Sequence, residues 1–262
     1  MSQDHRVVLD NRRCVIIPSY NSGALLEKTV RSVLAYWRPV IVVLDGSTDG
    51  SQQTLKDLAV SEPGLYPIVH QQNAGKGAAV LSALEFAAER GFTHAAVFDA
   101  DAQHLAADIP RFMEASRANP TAMILGRPVF GSEAPALRVK GRCFGNWWTN
   151  LETLWGGIQD SLFGFRVYPI SPSLEILHGI RGGRRFDFDT QLVVRLYWRG
   201  IPPLNIPTPV LYHHSEAGGV THFRYLRDNL LLVAVHTRLT LLAITLLPRL
   251  LRLRARPQLR FP

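Results

Sequence analysis

Short apolar runs alternate along the first half of the chain with segments whose apolar residues recur every three or four positions. Unbroken runs predict strands buried on both faces, and the three-to-four spacing predicts helices. The predicted strands are residues 13–18, 40–44, 66–70, 94–98 and 121–125, and the predicted helices are residues 24–36, 49–60, 77–89 and 108–119. This order predicts an α/β fold with a mostly parallel sheet that helices cover on both faces.

The second half of the chain has a less regular pattern. Residues 126–190 are rich in glycine, arginine and aromatic residues, which predicts loops with a helix around 143–156. Residues 188–200 predict another helix, and the four prolines within 201–210 predict an extended segment at the sheet edge. Residues 230–247 are the most apolar stretch.

Composition limits the class of protein. The 262 residues are 47% hydrophobic and 19% charged, which suits one large domain with a tail. We therefore divide the chain into a domain of residues 1–225 and a C-terminal helix and tail of residues 226–262. Two cysteines exclude a disulfide framework. The polar N-terminus has no apolar core of a signal peptide, so we expect the protein to stay in the cytoplasm.

The net charge of +8 is concentrated at the C-terminus. No acidic residue follows Asp228, whereas six arginines do. A basic block that follows an apolar stretch suggests an anionic membrane surface rather than a nucleic acid. An arginine inside the stretch disfavours a spanning helix, so we expect a helix lying in the membrane interface. A helix docked on the domain and a merely solubilising tail stay open.

Polar residues follow three of the predicted strands where each strand ends. They are Pro18, Tyr20 and Asn21 after the first, Asp45 after the second, and Asp99 and Asp101 after the fourth. Ligands of parallel sheets bind beyond the carboxyl ends of the strands, so we expect one shared site there.

Two of these clusters carry chemistry of their own. Asp99 and Asp101 can face one hard cation, Mg²⁺ or Mn²⁺, which would neutralise a diphosphate leaving group. Lys76 lies between glycines before a helix, where a phosphate is favoured. The P-loop and dinucleotide-binding glycine patterns are both absent, which disfavours those two classes of nucleotide-binding protein.

Four motifs together resemble a known family. The segments at 15–21, 42–50, 73–77 and 98–104 look like the ordered motifs of family 2 glycosyltransferases, with a branch of dolichyl-phosphate and bacterial polyprenyl-phosphate sugar transferases as the nearest likeness. The similarity covers roughly residues 13–215. It implies a GT-A fold and inverting transfer of a sugar from a nucleotide-sugar to a polyprenyl-phosphate or other lipid or glycan acceptor, at the cytoplasmic face of the membrane.

The resemblance also implies residue roles. Asp99, Asp101 and Gln103 match the family's metal-binding segment, whereas the role of His104 stays open. Pro18, Tyr20, Asn21 and Asp45 match the nucleoside pocket, and Lys76 and Asp99 would face the donor phosphates. We expect Arg127 and Arg166 to act at the reacting groups, Arg138 and Asp160 to hold the acceptor, and Asp187 or Asp189 to act as the base.

Two positions depart from the family pattern. Leu44 stands where an aspartate is usual, and Gln191 stands where an acidic residue is common. They keep open a second hypothesis, a membrane-recruited nucleotide-sugar-binding protein that has lost turnover. A sugar nucleotidyltransferase is disfavoured because its glycine-rich loop is absent after the first strand.

Overall fold

The computed structural model describes residues 7–131, 136–180, 182–185, 187–211 and 225–261, and side chains there except at 136–138 and 225–230. The strands are β1 Val8–Leu9, β2 Arg13–Ser19, β3 Trp37–Arg38, β4 Val40–Asp45, β5 Leu65–His70, β6 His94–Val97, β7 Met123–Val129, β8 Arg166–Pro169 and β9 Pro203–Pro209. The helices are α1 Ala24–Leu34, α2 Ser51–Ser61, α3 Lys76–Glu89, α4 Ile109–Ala118, α5 Ala136–Glu152, α6 Ile170–Gly179, α7 Phe188–Trp198, α8 Tyr225–Thr245 and α9 Leu247–Arg254.

Seven of the described strands form one sheet in the order β5-β4-β2-β6-β8-β7-β9. All neighbouring pairs are parallel except those of β8, which runs antiparallel to both β6 and β7. The carboxyl ends of β2, β4 and β6 therefore lie at one edge, as the sequence predicts. The expectation of a mostly parallel α/β sheet is confirmed.

Helices cover both faces of the sheet, and successive side chains of each strand point to opposite faces. Cys14 and Ile16 of β2 belong to one apolar cluster, and Val15 and Ile17 belong to the other. All four side chains are 0% exposed. Helices α1, α2 and α4 supply the second cluster, whereas α3, α6, α7, α8 and α9 supply the first. Unbroken apolar runs are thus the sequence signature of a sheet buried on both faces.

The predictions for residues 126–190 are incomplete. The helix expected around 143–156 is α5, which begins at Ala136 and ends at Glu152. The sequence pattern did not predict β8 or α6 at all. Strand β8 has only four residues, too few for a recognisable period, and it is held by antiparallel pairing with β6 and β7. The proline-rich segment is confirmed as an edge strand, β9.

The C-terminal helix packs on the domain through a buried contact between a histidine and a glutamate. His236 of α8 lies 2.8 Å from the carboxylate of Glu152 on α5, and the two side chains are 4% and 0% exposed. Trp148 of α5 stacks on the His236 ring and donates a hydrogen bond to Thr240. Val235, Leu239 and Ala243 are buried beside them, so one face of α8 belongs to the core.

The opposite face of the same helix is exposed. Val233, Leu241 and Ile244 are 47%, 62% and 64% exposed. Among the described residues no single helix is long and apolar enough to span a bilayer. Residues 231–245 and 247–254 meet that requirement of length and composition only together, across a bend of 87°.

The Glu152–His236 pair should determine how firmly α8 is docked. We predict that His236→Ala lowers the free energy of unfolding by about 3 kcal/mol, because it leaves a buried carboxylate without its partner. His178→Ala removes a pair of the same 2.8 Å length to Glu85, but both partners are about half exposed. That control should cost under about 1 kcal/mol. Urea denaturation measures both values, and equal losses would contradict the prediction.

Candidate active site

The loops that follow β2 and β4 are bound to each other. The Asn21 side chain accepts a hydrogen bond from the Thr48 amide at 2.8 Å, and the Asn21 amide donates to Ser47 at 3.0 Å. The Gly23 amide donates to Asp49 at 2.7 Å. Pro18 is buried at the end of β2, and Tyr20 is half-buried in the loop. Three predicted donor-binding residues, Pro18, Tyr20 and Asn21, therefore lie at the carboxyl end of β2, where its loop is bonded to the loop that follows β4.

Asp45 holds the next loop in place. Its side chain is buried, and its two carboxylate oxygens accept hydrogen bonds from the amides of Ala74 and Gly75 at 3.0 and 2.7 Å. His70 lies 2.8 Å from the same carboxylate. The adjacent Leu44 points to the other face of β4 and is buried in the apolar core, which explains an apolar residue there. Asp45 therefore positions the loop that carries Lys76.

Lys76 lies between two carboxylates from distant parts of the chain. Its ammonium nitrogen is 2.8 Å from Asp99 and 2.9 Å from Asp189. Although burial acts the other way in each case, the opposite charges raise the pKa of Lys76, and Lys76 and His104 hold the pKa of Asp99 well below its usual range. Lys76 and Asp99 are therefore both charged at neutral pH, and the ammonium group lies between the two carboxylates.

The Asp99 carboxylate also lies directly against Gly164. A Cβ atom at residue 164 would be 1.8 Å from an Asp99 oxygen, so only glycine leaves room for the carboxylate. The imidazole of His104 is 3.5 Å from that oxygen and is enclosed by the rings of Phe98, Phe163 and Phe165. His104 and Gly164 therefore fix the position of Asp99 from two sides.

Asp101 and Gln103 follow Asp99 in the turn after β6. Asp101 is exposed, and its carboxylate accepts a hydrogen bond from the backbone amide of Gln103 at 3.0 Å, which closes the turn. Loss of hydration and the charge of Asp99 raise the pKa of Asp101. A second carboxylate next to a charged one favours a bound cation, because a cation relieves their repulsion.

The oxygen atoms of this segment fit a hard divalent cation. Asp99, Asp101 and Gln103 offer carboxylate and amide oxygens, the ligands that Mg²⁺ and Mn²⁺ prefer. The described residues contain no group of three or more His, Cys, Asp or Glu side chains arranged around one metal position. An ion held by one or two carboxylates takes its other ligands from substrate phosphates and water, so two carboxylates suffice.

The two candidate bases on α7 have different surroundings. Asp187 accepts hydrogen bonds from the Gly183 amide at 2.8 Å, the Arg185 amide at 3.1 Å and the Gln191 side chain at 2.8 Å. A carboxylate at 191 would repel Asp187, so the amide of Gln191 suits this helix start. Asp189 instead faces Lys76 within the site.

Arg166 and Arg127 also differ in exposure. The guanidinium of Arg166 is fully buried and donates to the Asp189 carbonyl at 3.1 Å and the Tyr168 hydroxyl at 3.0 Å. It lies 3.8 Å from the Asp189 carboxylate. Arg127 is exposed on β7. Arg166 is placed to hold Asp189, whereas Arg127 is open to a ligand.

The carboxylate of Asp160 is occupied by hydrogen bonds from within the protein. Arg142 donates two hydrogen bonds to its carboxylate, and Asn146 donates a third at 3.1 Å. The amides of Leu162 and Phe163 donate at 2.9 and 2.7 Å. This arrangement shapes the turn that delivers Gly164 to Asp99. The side chain of Arg138, the other residue expected to hold an acceptor, lies outside the described residues.

Sequence reasoning missed several residues that build the site. Arg142 and Asn146 lie one helical turn apart on α5, and this i, i+4 spacing was their only signal. His70 bridges Asp45 and Ser82, and no local pattern marks it. The pairing of Lys76 with Asp189 joins residues 113 positions apart, so it has no local signal.

Comparisons with known proteins find similar sequences and a similar fold. The model of the family "Glycosyl transferase family 2" matches residues 14–173. The chain is 31% identical over 213 residues to polyprenol monophosphomannose synthase of Mycolicibacterium smegmatis, covering 79% of each chain. It is 29% identical over 171 residues to undecaprenyl-phosphate mannosyltransferase of Micrococcus luteus, covering 60% of this chain and 66% of that one.

A solved structure shares the fold. Glucosyl-3-phosphoglycerate synthase from Mycobacterium tuberculosis, in complex with Mn²⁺ and uridine-diphosphate-glucose, superposes with a TM-score of 0.59. The identity is 17%, and the match covers 89% of this chain and 78% of that one. The expectation of a GT-A fold is thereby confirmed.

The close approach of Gly164 to Asp99 predicts a strong effect of one methyl group. Gly164→Ala should lower the free energy of unfolding by about 1–3 kcal/mol, because the Asp99 carboxylate must move away from Lys76. Gly141→Ala is the matched control, since a Cβ there meets no atom within 4 Å. In the interior of α5 it should stabilise by up to about 1 kcal/mol. Chemical denaturation measures the free energy of unfolding of both variants. Equal changes in the two variants would refute the clash at residue 164.

The Lys76 ion pairs predict a pH-dependent loss of stability. Lys76→Met should lower the free energy of unfolding by about 3 kcal/mol at pH near 7, because it leaves two carboxylates without their cation. In the wild type the lowered pKa of Asp99 contributes stability that is lost as pH falls through that pKa. In the variant the charged carboxylates cost stability, and protonation removes that cost.

The difference between the two proteins should therefore shrink as pH falls from about 7 to about 4. Lys56→Met, at an exposed position of α2, is the control and should change stability by under about 0.5 kcal/mol at every pH. Urea denaturation across this pH range measures the difference. A deficit that is constant with pH would rule out unpaired carboxylates as its cause.

Proposed function

Because the chain belongs to glycosyl transferase family 2, we propose that it transfers a sugar from a UDP- or GDP-sugar to a polyprenyl phosphate. The names of two relatives, a polyprenol monophosphomannose synthase and an undecaprenyl-phosphate mannosyltransferase, support this class of acceptor. The observation that carries the proposal is the cluster of Asp99, Asp101 and Lys76 at the carboxyl ends of the strands. Another glycolipid or a glycan is the alternative acceptor.

In the proposed reaction Asp99, Asp101 and Gln103 hold a Mg²⁺ or Mn²⁺ ion. The ion would supply positive charge to the donor diphosphate and make the nucleotide diphosphate a better leaving group. The Mn²⁺ and uridine-diphosphate-glucose in the similar solved structure support this assignment. His104 and Gly164 contribute by keeping the Asp99 carboxylate in place.

The nucleoside would lie along the wall formed by Pro18, Tyr20 and Asn21. Asp45 contributes through its hydrogen bonds to the amides of Ala74 and Gly75, which keep the Lys76 loop beside the site. Lys76 is bound to Asp99 and Asp189, so it acts on the donor phosphates from the position where those two carboxylates hold it.

The acceptor side requires cationic groups more than a strong base. A lipid phosphate is already anionic, so its oxygen attacks without prior loss of a proton. Arg127 is exposed and can hold such a phosphate, whereas buried Arg166 positions Asp189. For a hydroxyl acceptor, Asp189 rather than Asp187 would take the proton. The Asp187 carboxylate already accepts hydrogen bonds at the N-terminal end of α7.

We further propose that the protein works as a peripheral protein at the cytoplasmic face of the membrane. The exposed apolar side chains of α8 and α9 and the arginines of the C-terminal segment support an interfacial location. Phe144 and Trp147 of α5 are 59% and 51% exposed and contact each other, which adds an aromatic edge of the kind found at membrane interfaces.

The second hypothesis, a binding protein without turnover, was kept open by the departures from the family pattern at residues 44 and 191. Neither departure supports it. Leu44 is part of the apolar core, and Gln191 completes the hydrogen bonds of Asp187. Neither residue removes a group from the Asp99, Asp101 and Lys76 cluster.

A nucleotide-binding assay tests the donor site. We predict that Mn²⁺ together with one nucleotide among UDP, GDP, UDP-glucose and GDP-mannose raises the melting temperature, and that a chelator abolishes the shift. A nucleotide concentration about 100-fold above the dissociation constant should raise the free energy of unfolding by about 2.7 kcal/mol. Asp101→Asn should remove the metal-dependent part.

The control is Asp57→Asn on α2, whose carboxylate accepts a hydrogen bond from Gln53 at the surface and lies outside the site. It should keep the full shift. Sugar transfer to undecaprenyl phosphate in detergent is then measured with the same donor. Transfer supports the enzyme, binding without hydrolysis or transfer supports the binding protein, and no shift from folded protein refutes both.

A further inference from the structure

A cavity of about 250 Å³ lies outside the candidate active site. It is bounded by α6, by the last turns of α7 and by the bend between α8 and α9. Arg195 of α7 is six residues beyond Asp189, which places it about 9 Å further along the helix axis. None of the sequence motifs extends to this cavity.

The guanidinium of Arg195 lines the cavity without a hydrogen-bond partner for its buried nitrogens. In the part of the chain that the structure describes, nitrogens Nε and Nη2 are both buried and unpaired. The guanidinium lies 5.7 Å from the centroid of the Trp198 ring. Burial and the charge of Arg238 lower the pKa of Arg195. A half-buried cation whose Nε and Nη2 atoms have no partner is stabilised when an anion pairs with it.

The other charged groups of the cavity make it more cationic. Arg199 and Arg249 also line it, and Glu175, its one acidic lining residue, is already paired with Arg199. The lining thus holds three guanidinium groups and one carboxylate. A planar guanidinium binds phosphate well because it donates two parallel hydrogen bonds.

The remaining walls of the cavity are apolar. Ile176, Ile180 and Leu246 line it, and Leu246 lies at the bend between α8 and α9. Next to this residue, Leu247 and Leu251 are 43% and 53% exposed. A water molecule occupies about 30 Å³ in the liquid, so the cavity can take a phosphodiester together with some water.

We propose that this cavity binds the phosphate of an anionic phospholipid head group, with the acyl chains beside the exposed leucines of the α8–α9 bend. The inference rests on the membrane location given under the proposed function, and it assigns that location a specific anchor. Binding would pair Arg195 with an anion and hold the bend of α8 and α9 at the bilayer surface.

Vesicle co-sedimentation of the full chain tests the anchor. The vesicles are phosphatidylcholine alone or phosphatidylcholine with phosphatidylglycerol, at physiological ionic strength. We expect binding to the anionic vesicles, and a loss of more than about tenfold in affinity for Arg195→Gln and for Arg249→Gln. Arg252→Gln is the matched control, since it removes the same charge from an exposed position of α9 outside the cavity.

The control should lose no more than about fivefold, the effect of one basic residue near an anionic surface. Equal losses at residues 249 and 252 would overturn the proposal, because charge alone would then explain binding.

A second arm separates a lipid head group from free phosphate. Inorganic phosphate and glycerol 3-phosphate are each tested by thermal shift on the wild type and on Arg195→Gln. A large Arg195-dependent shift with inorganic phosphate, alongside vesicle binding that Arg195→Gln leaves unchanged, would overturn the lipid assignment. Sugar transfer in detergent needs no bilayer, so success there with equal losses on vesicles refutes this inference and leaves the proposed function intact.

Discussion

The ammonium group of Lys76 is the interaction on which the candidate site depends. It joins the start of α3, the aspartate that follows β6 and the first turn of α7, three segments that are far apart in the chain. Without this cation, the Asp99 and Asp189 carboxylates would lose the positive charge that lies between them. The same contact keeps Asp99 ionised, and an ionised Asp99 is what a divalent cation requires.

Two carboxylates near the site serve to position loops. Asp45 and Asp160 are buried carboxylates that accept hydrogen bonds from backbone amides, and each one shapes a loop that meets Asp99 or Lys76. A carboxylate can organise a loop in this way because its two oxygens accept several hydrogen bonds at once. Asp101 and Arg127 are exposed, and Gln103 is half-buried.

The C-terminal helices combine two surfaces. One face of α8 is held by the Glu152–His236 pair and by buried apolar residues, and the other presents exposed apolar side chains. The 87° bend carries the chain into α9, and Leu246 and Arg249 line the cavity at this bend. Under the proposed membrane location, this docking would fix the distance between the membrane surface and the active site.

Local signals in the sequence, unbroken apolar runs and strand-end motifs, were enough to predict the α/β class, the strands that carry the site and the family. They also indicated Asp99, Asp101 and Gln103 as metal ligands, and that assignment stays a prediction. The folded contacts were needed to see that Asp45 and Asp160 hold loops in place, that Asp189 rather than Asp187 contacts Lys76, and that β8 runs antiparallel. These outcomes depend on contacts between residues far apart in the chain, which no local period records.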